Sequence, residues 1–126
     1  MAVSAEFAAH ARDLFGGVGP IGIRRMFGGA GVYLDDAMFA VLFEDGLIYM
    51  RGDAVVGPAY EAEGCEQWVY EGRNRPVAMP FWRLPDSAMD DPDEAQGWAR
   101  RSLVPAQAAA AEKRAAAARK RARKRG

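Results

Sequence analysis

Cysteine and histidine are nearly absent from this 126-residue chain, which contains Cys65 and His10 and no other residue of either type. One cysteine cannot form an intrachain disulfide, and a lone thiol is typical of a reducing cytoplasm. Zinc sites need several such ligands at short spacings, and no such spacing occurs here. We therefore expect a protein without a disulfide, a bound metal or a cofactor.

Long hydrophobic runs are also missing. The longest, Ala37–Phe43, is far shorter than the roughly 20 residues that a membrane-spanning helix requires. The segment from Met1 to Phe15 lacks the basic opening of a secretory signal peptide. We therefore predict a cytoplasmic protein that does not insert into membranes.

Arrangements of residues that support catalysis are scarce. Cys65 and His10 form the one Cys/His pair, and nothing in the sequence brings them together. The serines lack the G-x-S-x-G setting of a hydrolase nucleophile. The glycine run Gly28–Gly31 is not a dinucleotide fingerprint, because Leu34 stands where the third glycine belongs and a strand is expected to follow. We predict a non-enzymatic protein without catalytic residues.

Charge, by contrast, is strongly segregated. Residues 112–126 contain eight Lys/Arg and one Glu, a net charge of +7, whereas residues 1–111 contain nine Lys/Arg and sixteen Asp/Glu, a net charge of −7. A basic segment attached to an acidic body is typical of an interaction tail. The predicted nucleic-acid contacts are Lys113, Arg114, Arg119, Lys120, Arg121, Arg123, Lys124 and Arg125.

Binding of all eight cations to duplex DNA would make log K fall with log salt at a slope of about −7, from roughly −0.9 per contact. Such contacts provide affinity without sequence specificity. Two alternatives remain open. The tail could serve solubility or fold back on the acidic body, or it could bind a protein or membrane partner.

Periodicity and turn residues predict the order helix, three strands, helix, two strands, helix. The first helix is expected from Ser4, its N-cap, to Phe15, and the second from Asp53 to Glu63 with an interruption at Gly57-Pro58. The strands are expected at Ile23–Phe27, Met38–Phe43, Leu47–Arg51, Gln67–Glu71 and Val77–Trp82. This order indicates an α+β fold with an antiparallel sheet of about five strands and helices packed on it.

Two kinds of residue predict local irregularities in this sheet. The glycines of Gly28–Gly31 indicate a bulge or a close backbone approach, with an exposed partner-binding loop beside Arg24 and Arg25 as the alternative. Pro80 cannot donate a ladder hydrogen bond, so its strand should lie at an edge or be bulged there. The aromatic residues Trp68, Tyr70, Phe81, Trp82 and Trp98 are expected in the core or in a dimer contact, with stacking on nucleic-acid bases as the alternative.

The last helix has the clearest start, because Asp91 is a suitable N-cap and Pro92 suits the first helical position. Pro105 is expected to end or kink it. We divide the chain into a domain of residues 1–105 and a tail of residues 106–126, rich in Ala, Arg and Lys. Since the tail has no large apolar side chain, we expect it to stay outside the core, either mobile or helical.

Several segments together resemble the N-terminal domain of the TfoX/Sxy competence regulators. The resemblance spans about residues 5–105. It rests on Arg24–Tyr33, Met38–Ala40, Leu47–Arg51, Met79–Asp86 and Asp90–Asp93.

The resemblance implies a two-layer α/β sandwich of order α-β-β-β-α-β-β-α, similar to secretion-chaperone-like domains. It also implies a role in transcriptional regulation of competence or DNA uptake, in some members alongside the cyclic-AMP receptor protein. A homodimer is a further expectation, through the strand near Phe81, so the alternative function is a self-associating interaction domain. Longer members carry a second domain where the basic tail stands here.

Overall fold

The computed structural model describes residues 3–26 and 28–125. Met1, Ala2, Phe27 and Gly126 lie outside the described residues. The predicted end of the first strand, Phe27, and the predicted end of the tail, Gly126, are among them. The helices are α1 (Ala5–Phe15), α2 (Gly57–Ala62) and α3 (Pro92–Arg125), and the strands are β1 (Ile21–Met26), β2 (Gly29–Leu34), β3 (Ala37–Phe43), β4 (Ile48–Arg51), β5 (Gln67–Glu71) and β6 (Pro76–Arg83).

The six strands form one sheet in the order β1-β2-β3-β4-β6-β5, and neighbouring strands are antiparallel. The predicted α+β class is confirmed, with one strand more than expected. The additional strand is β2, because the glycine run continues directly into Val32–Leu34 and pairs on both sides.

The glycines of β2 are explained by close backbone approach. A Cβ atom on Gly29 would lie 2.3 Å from the Leu42 carbonyl oxygen, and one on Gly31 would lie 2.7 Å from the Met38 sulfur. Both glycines are buried, so the alternative of an exposed loop is wrong for them. The register shift of this strand pair comes later, between Val32 and Tyr33.

Pro80 lies within β6, which pairs with β4 on one side and β5 on the other. The prediction of an edge strand is therefore wrong, and Phe81 cannot supply a sheet edge to a second copy. The alternative prediction of a bulge is confirmed, because the register with β5 shifts between Gln67 and Val69, opposite Pro80. The edges of the sheet are β1 and β5.

Helix α2 begins later than predicted. The Asp53 carboxylate accepts hydrogen bonds from the backbone amides of Val55 and Val56, at 2.9 and 2.7 Å, and so closes a turn before the helix. Pro58 lies in the first turn of α2 rather than interrupting it. The first turn of a helix tolerates proline because a backbone N–H at that position would have no intrahelical acceptor.

The core lies between the sheet and the three helices, and Phe15, Phe39, Leu42, Met50 and Tyr60 are among its largest fully buried residues. Phe15 of α1 meets Phe39 of β3 edge to face, with ring centroids 5.4 Å apart. Trp82 packs on Gly52 and Gly57, where a Cβ atom would lie 2.5 Å from the indole ring. The result is a two-layer sandwich with its helices on one face of the sheet.

Candidate nucleic-acid interface

Helix α3, which carries the basic residues, is anchored in the core by its first half. Trp98 stacks on Tyr60 of α2 with ring centroids 4.5 Å apart, and the Tyr60 hydroxyl shares a 2.6 Å hydrogen bond with the Ser102 hydroxyl. Burial raises the pKa of Tyr60, so this phenol stays protonated and neutral near pH 7. These contacts fix the direction in which the rest of the helix extends.

The helix does not end at Pro105 but continues to Arg125, giving 34 residues and a length of about 51 Å. Ala106 and Ala110 are 2% and 7% exposed and belong to the core. The expectation that this segment stays outside the core is therefore wrong for its beginning. Their small side chains let the helix approach the sheet closely. The segment can therefore join the core without a large apolar side chain.

Arg114 forms the last ion pair between α3 and the body that the structure describes. Its guanidinium donates to the carboxylate of Asp36, in the turn between β2 and β3. The Arg114 hydrogen bond is the main reason why the pKa of Asp36 lies below its usual value. Both side chains are more than half exposed, so this ion pair positions the helix but adds little to global stability.

The eight predicted contact residues fall into two groups. Arg114 pairs with Asp36, and Arg119 lies 3.4 Å from a carboxylate oxygen of Glu112 on the same helix. Within residues 3–26 and 28–125, Lys113, Lys120, Arg121, Arg123, Lys124 and Arg125 form no ion pair. The last five are exposed and extend about 16 Å beyond Arg114.

The structure adds two cations that the sequence did not single out as binding residues in this region. Arg24 of β1 and Arg51 of β4 line the same groove as Lys113, on the sheet side of the helix. Their separation in sequence from the tail hides this proximity. The alternation of side chains along each strand was the signal available, and it could not reveal where α3 would pass.

His10 and Cys65, the Cys/His pair considered for catalysis, lie in different surroundings. His10 lies 2.7 Å from the Met89 carbonyl oxygen, whereas Cys65 lines a separate cavity with Arg83, Asp86 and other residues. Burial, and secondarily the carboxylates of Glu63 and Asp86, raise the pKa of the Cys65 thiol. A raised pKa favours the thiol over the reactive thiolate.

The acidic residues near the start of α3 have structural partners. Asp91 accepts a hydrogen bond from the Glu94 amide at 3.3 Å, and Glu94 accepts from the Ser87 hydroxyl at 2.7 Å and the Trp98 indole at 3.3 Å. Among the described residues, no group of three or more His, Cys, Asp or Glu side chains is placed to bind a metal ion.

In the described part of the chain, every helix is too short or too polar to cross a membrane. Helix α3 is long enough, but its second half is dominated by Lys and Arg.

The chain matches the family model of the TfoX N-terminal domain over residues 13–106. It belongs to this family. The match covers more than half of the chain and ends where α3 passes Pro105. The cations of the exposed helix end lie beyond the matched range, so they are not part of what defines the family domain.

A curated relative is also similar to the chain. DNA transformation protein TfoX1 of Aliivibrio fischeri (strain ATCC 700601 / ES114) is 47% identical over 45 residues, which is 36% of this chain. The aligned segment spans 21% of that relative, about a fifth of its length.

Proposed function

We propose that this member of the TfoX N-terminal domain family is a non-enzymatic, cytoplasmic binding module that takes part in DNA transformation. It contacts nucleic acid through the exposed end of α3. In this proposal it is accessory to transcriptional regulation of competence or DNA uptake and works beside a transcription regulator. The family membership and the name of the relative, DNA transformation protein TfoX1, support the link to transformation.

The observation that carries the nucleic-acid contact is the exposure of five cations at the end of α3, Lys120, Arg121, Arg123, Lys124 and Arg125. They form no ion pair with any residue from 3 to 26 or from 28 to 125. The helix continues through them beyond Arg114, and none of them pairs with a described carboxylate of the body. This geometry disfavours the alternative of an intramolecular role, except at Arg114.

Such a helix end can bind phosphates without reading bases. Lys and Arg side chains that neutralise phosphates release condensed counterions, and this release drives nonspecific binding. Phosphate contacts position a protein on nucleic acid but carry no sequence information. The module would therefore hold the TfoX domain near DNA while a partner supplies the sequence specificity.

The test compares full-length variants in fluorescence polarisation with a labelled 20-base-pair duplex. The tail variant carries Lys120→Gln, Arg121→Gln and Lys124→Gln, and its affinity at about 50 mM salt should fall at least tenfold because three phosphate contacts are lost. Glutamine has a helix propensity close to that of lysine and arginine, so the helix should remain intact.

The control variant removes the same charge from exposed body residues, Arg73→Gln, Arg75→Gln and Arg100→Gln. Its affinity should stay within about twofold of the wild-type value, because these residues lie outside the exposed helix end. Equal losses in the two variants would show that net charge alone governs binding, and no loss in the tail variant would remove the helix end from the interface.

A further inference from the structure

The outer face of the sheet, opposite the helices, carries a connected group of aromatic rings. Phe43 lies 5.3 Å from Tyr49 and 5.1 Å from Trp68 between ring centroids, and Trp68 lies 6.2 Å from Phe81. Strand register places Tyr49 opposite Val41 and Val41 opposite Gly31, so this row faces away from the core residues Ala40 and Met50. Phe43, Tyr49 and Trp68 are half-buried and form one aromatic platform.

A basic groove adjoins this platform where α3 leaves the sheet. It consists of two neighbouring cavities of about 290 and 190 Å³ that share Tyr33, Asp36, Ala110 and Lys113. Arg24 lines the first cavity and Arg51 the second. The groove thus combines strand residues of the family domain with the first lysine of the basic segment.

Arg24, Arg51 and Lys113, three cations of the groove, form no ion pair among the described residues. The Arg24 guanidinium lies 4.6 Å above the Tyr33 ring and that of Arg51 lies 5.5 Å from the Phe81 ring. Asp36, the carboxylate that lines the groove, is bonded to Arg114 and acts on Arg24 only through a Coulombic attraction without an ion pair.

Arg51 has a further unmet contact. Its Nε atom is buried and has no hydrogen-bond acceptor among the described residues. Buried polar groups in folded proteins nearly always have a partner. Arg51 also lines the groove, where a phosphate oxygen would be a strong acceptor for its guanidinium. The Asp53 carboxylate acts on Arg51 but already accepts hydrogen bonds from two backbone amides.

We propose that this outer face binds single-stranded nucleic acid. Phosphates lie in the groove at Arg24, Arg51 and Lys113, while bases stack on Tyr33 and on the aromatic platform. The proposal deepens the function proposed above, because Lys113 belongs to the same basic segment. It assigns part of the interface to the body rather than to the helix end.

Single strands fit this face better than duplex DNA. Unpaired bases expose both ring faces to aromatic side chains, and open sheets with aromatic and arginine residues are a common platform for them. In a duplex the bases are stacked on each other and only their edges are accessible. Glu44, Asp45 and Glu66 lie next to the far side of the platform in sequence, which limits the phosphate-binding part to the groove.

The experiment measures binding of a fluorescein-labelled 12-nucleotide oligo-dT and of a 12-base-pair duplex to the full chain. Arg24→Gln and Arg51→Gln should each weaken oligo-dT binding about tenfold, and Tyr33→Leu at least fivefold, the low end for loss of one stacked base. Arg100→Gln, an exposed change elsewhere on α3, is the matched control and should change binding less than twofold.

The tail variant described above separates the two proposals. If the tail variant still binds oligo-dT and Arg24→Gln weakens that binding, the groove proposal is supported even if the helix end does not bind nucleic acid. If Arg24→Gln and Arg100→Gln bind alike while the tail variant fails, the groove proposal is wrong and the helix end alone binds. Thermal unfolding of Arg24→Gln, an exposed residue on an edge strand, verifies that the fold survives.

A second copy of the chain is the rival occupant of this face. Sedimentation equilibrium at micromolar concentration would then give a dimer that Tyr33→Leu dissociates, with oligo-dT binding unchanged, and that result would overturn the proposal. A preference for the duplex over oligo-dT would overturn it as well.

Discussion

The two halves of α3 differ sharply in their surroundings although one helix contains both. Between residues 92 and 110 the buried side chains include Ala95, Trp98, Ala99, Leu103 and Ala110, whereas every residue from 111 to 125 is exposed. The first half packs against the sheet and α2. The second half shows cations to solvent.

The difference between the two halves shows how a basic segment can be helical without a core of its own. Helix nucleation is unfavourable, but extension of an existing helix adds one hydrogen bond for each residue ordered. The packed half provides the nucleus, and the alanines of the second half have the highest helix propensity. Packing therefore stabilises the first half, while propensity and continuity extend the second.

The largest effect is expected from removing the side chain that anchors the first half of α3 in the core. Trp98→Ala deletes the indole that stacks on Tyr60 and leaves a cavity, so the free energy of unfolding should fall by about 3–5 kcal/mol. Urea unfolding followed by circular dichroism measures it. A loss below about 1 kcal/mol would mean that α3 is held elsewhere.

A matched pair of substitutions locates the boundary between the halves. Ala106→Gln forces a larger polar side chain into the core beside the sheet, and should cost about 1–3 kcal/mol. Ala116→Gln makes the same change at an exposed position and should stay within about 0.5 kcal/mol of wild type. Equal effects in thermal unfolding would contradict the assignment of Ala106 to the core.

The smallest effect concerns the ion pair between Arg114 of α3 and Asp36 in the turn between β2 and β3. The folded pKa of Asp36 is lowered by Arg114, so this pair stabilises the helix position above the usual aspartate pKa and is lost as pH falls through the folded value. Hydrogen-exchange protection of amides 110–114 should be lower in Asp36→Asn than in wild type at pH 5.

The same measurement at pH 2.5 provides the control. Protonation of the Asp36 carboxylate increases as the pH falls through its lowered pKa, so the difference between the two proteins should be smaller there than at pH 5. A difference that persists unchanged at pH 2.5 would show that the Asp36 charge does not position the helix.

Local chemistry predicted most elements of the fold. Ser4 accepts the Phe7 amide at 3.0 Å as an N-cap, and Gly46, with φ of 89°, forms the predicted reversal between β3 and β4. Such features depend on a few neighbouring residues, so the sequence displays them directly. The family motifs added the two-layer sandwich.

The failures share a physical cause, which is that tertiary contacts override local preference. Pro80 indicated an edge strand because it has no N–H to donate to a neighbouring strand. A bulge opposite β5 avoids that hydrogen bond, so β6 can lie inside the sheet. Pro105 indicated an end to α3, but burial of Ala106 and Ala110 continues the helix past it. The groove residues Arg24 and Arg51 come together with Lys113 only because α3 runs beside the sheet.

The central claim is that the end of α3 binds nucleic acid with the five unpaired cations from Lys120 to Arg125. The most direct measurement is the slope of log K against log salt for the full chain on a 20-base-pair duplex between 50 and 300 mM NaCl. Five contacts predict a slope of about −4.5, from roughly −0.9 per contact, falling to about −1.8 in the tail variant. A slope near zero, or one that is unchanged in that variant, would contradict the claim.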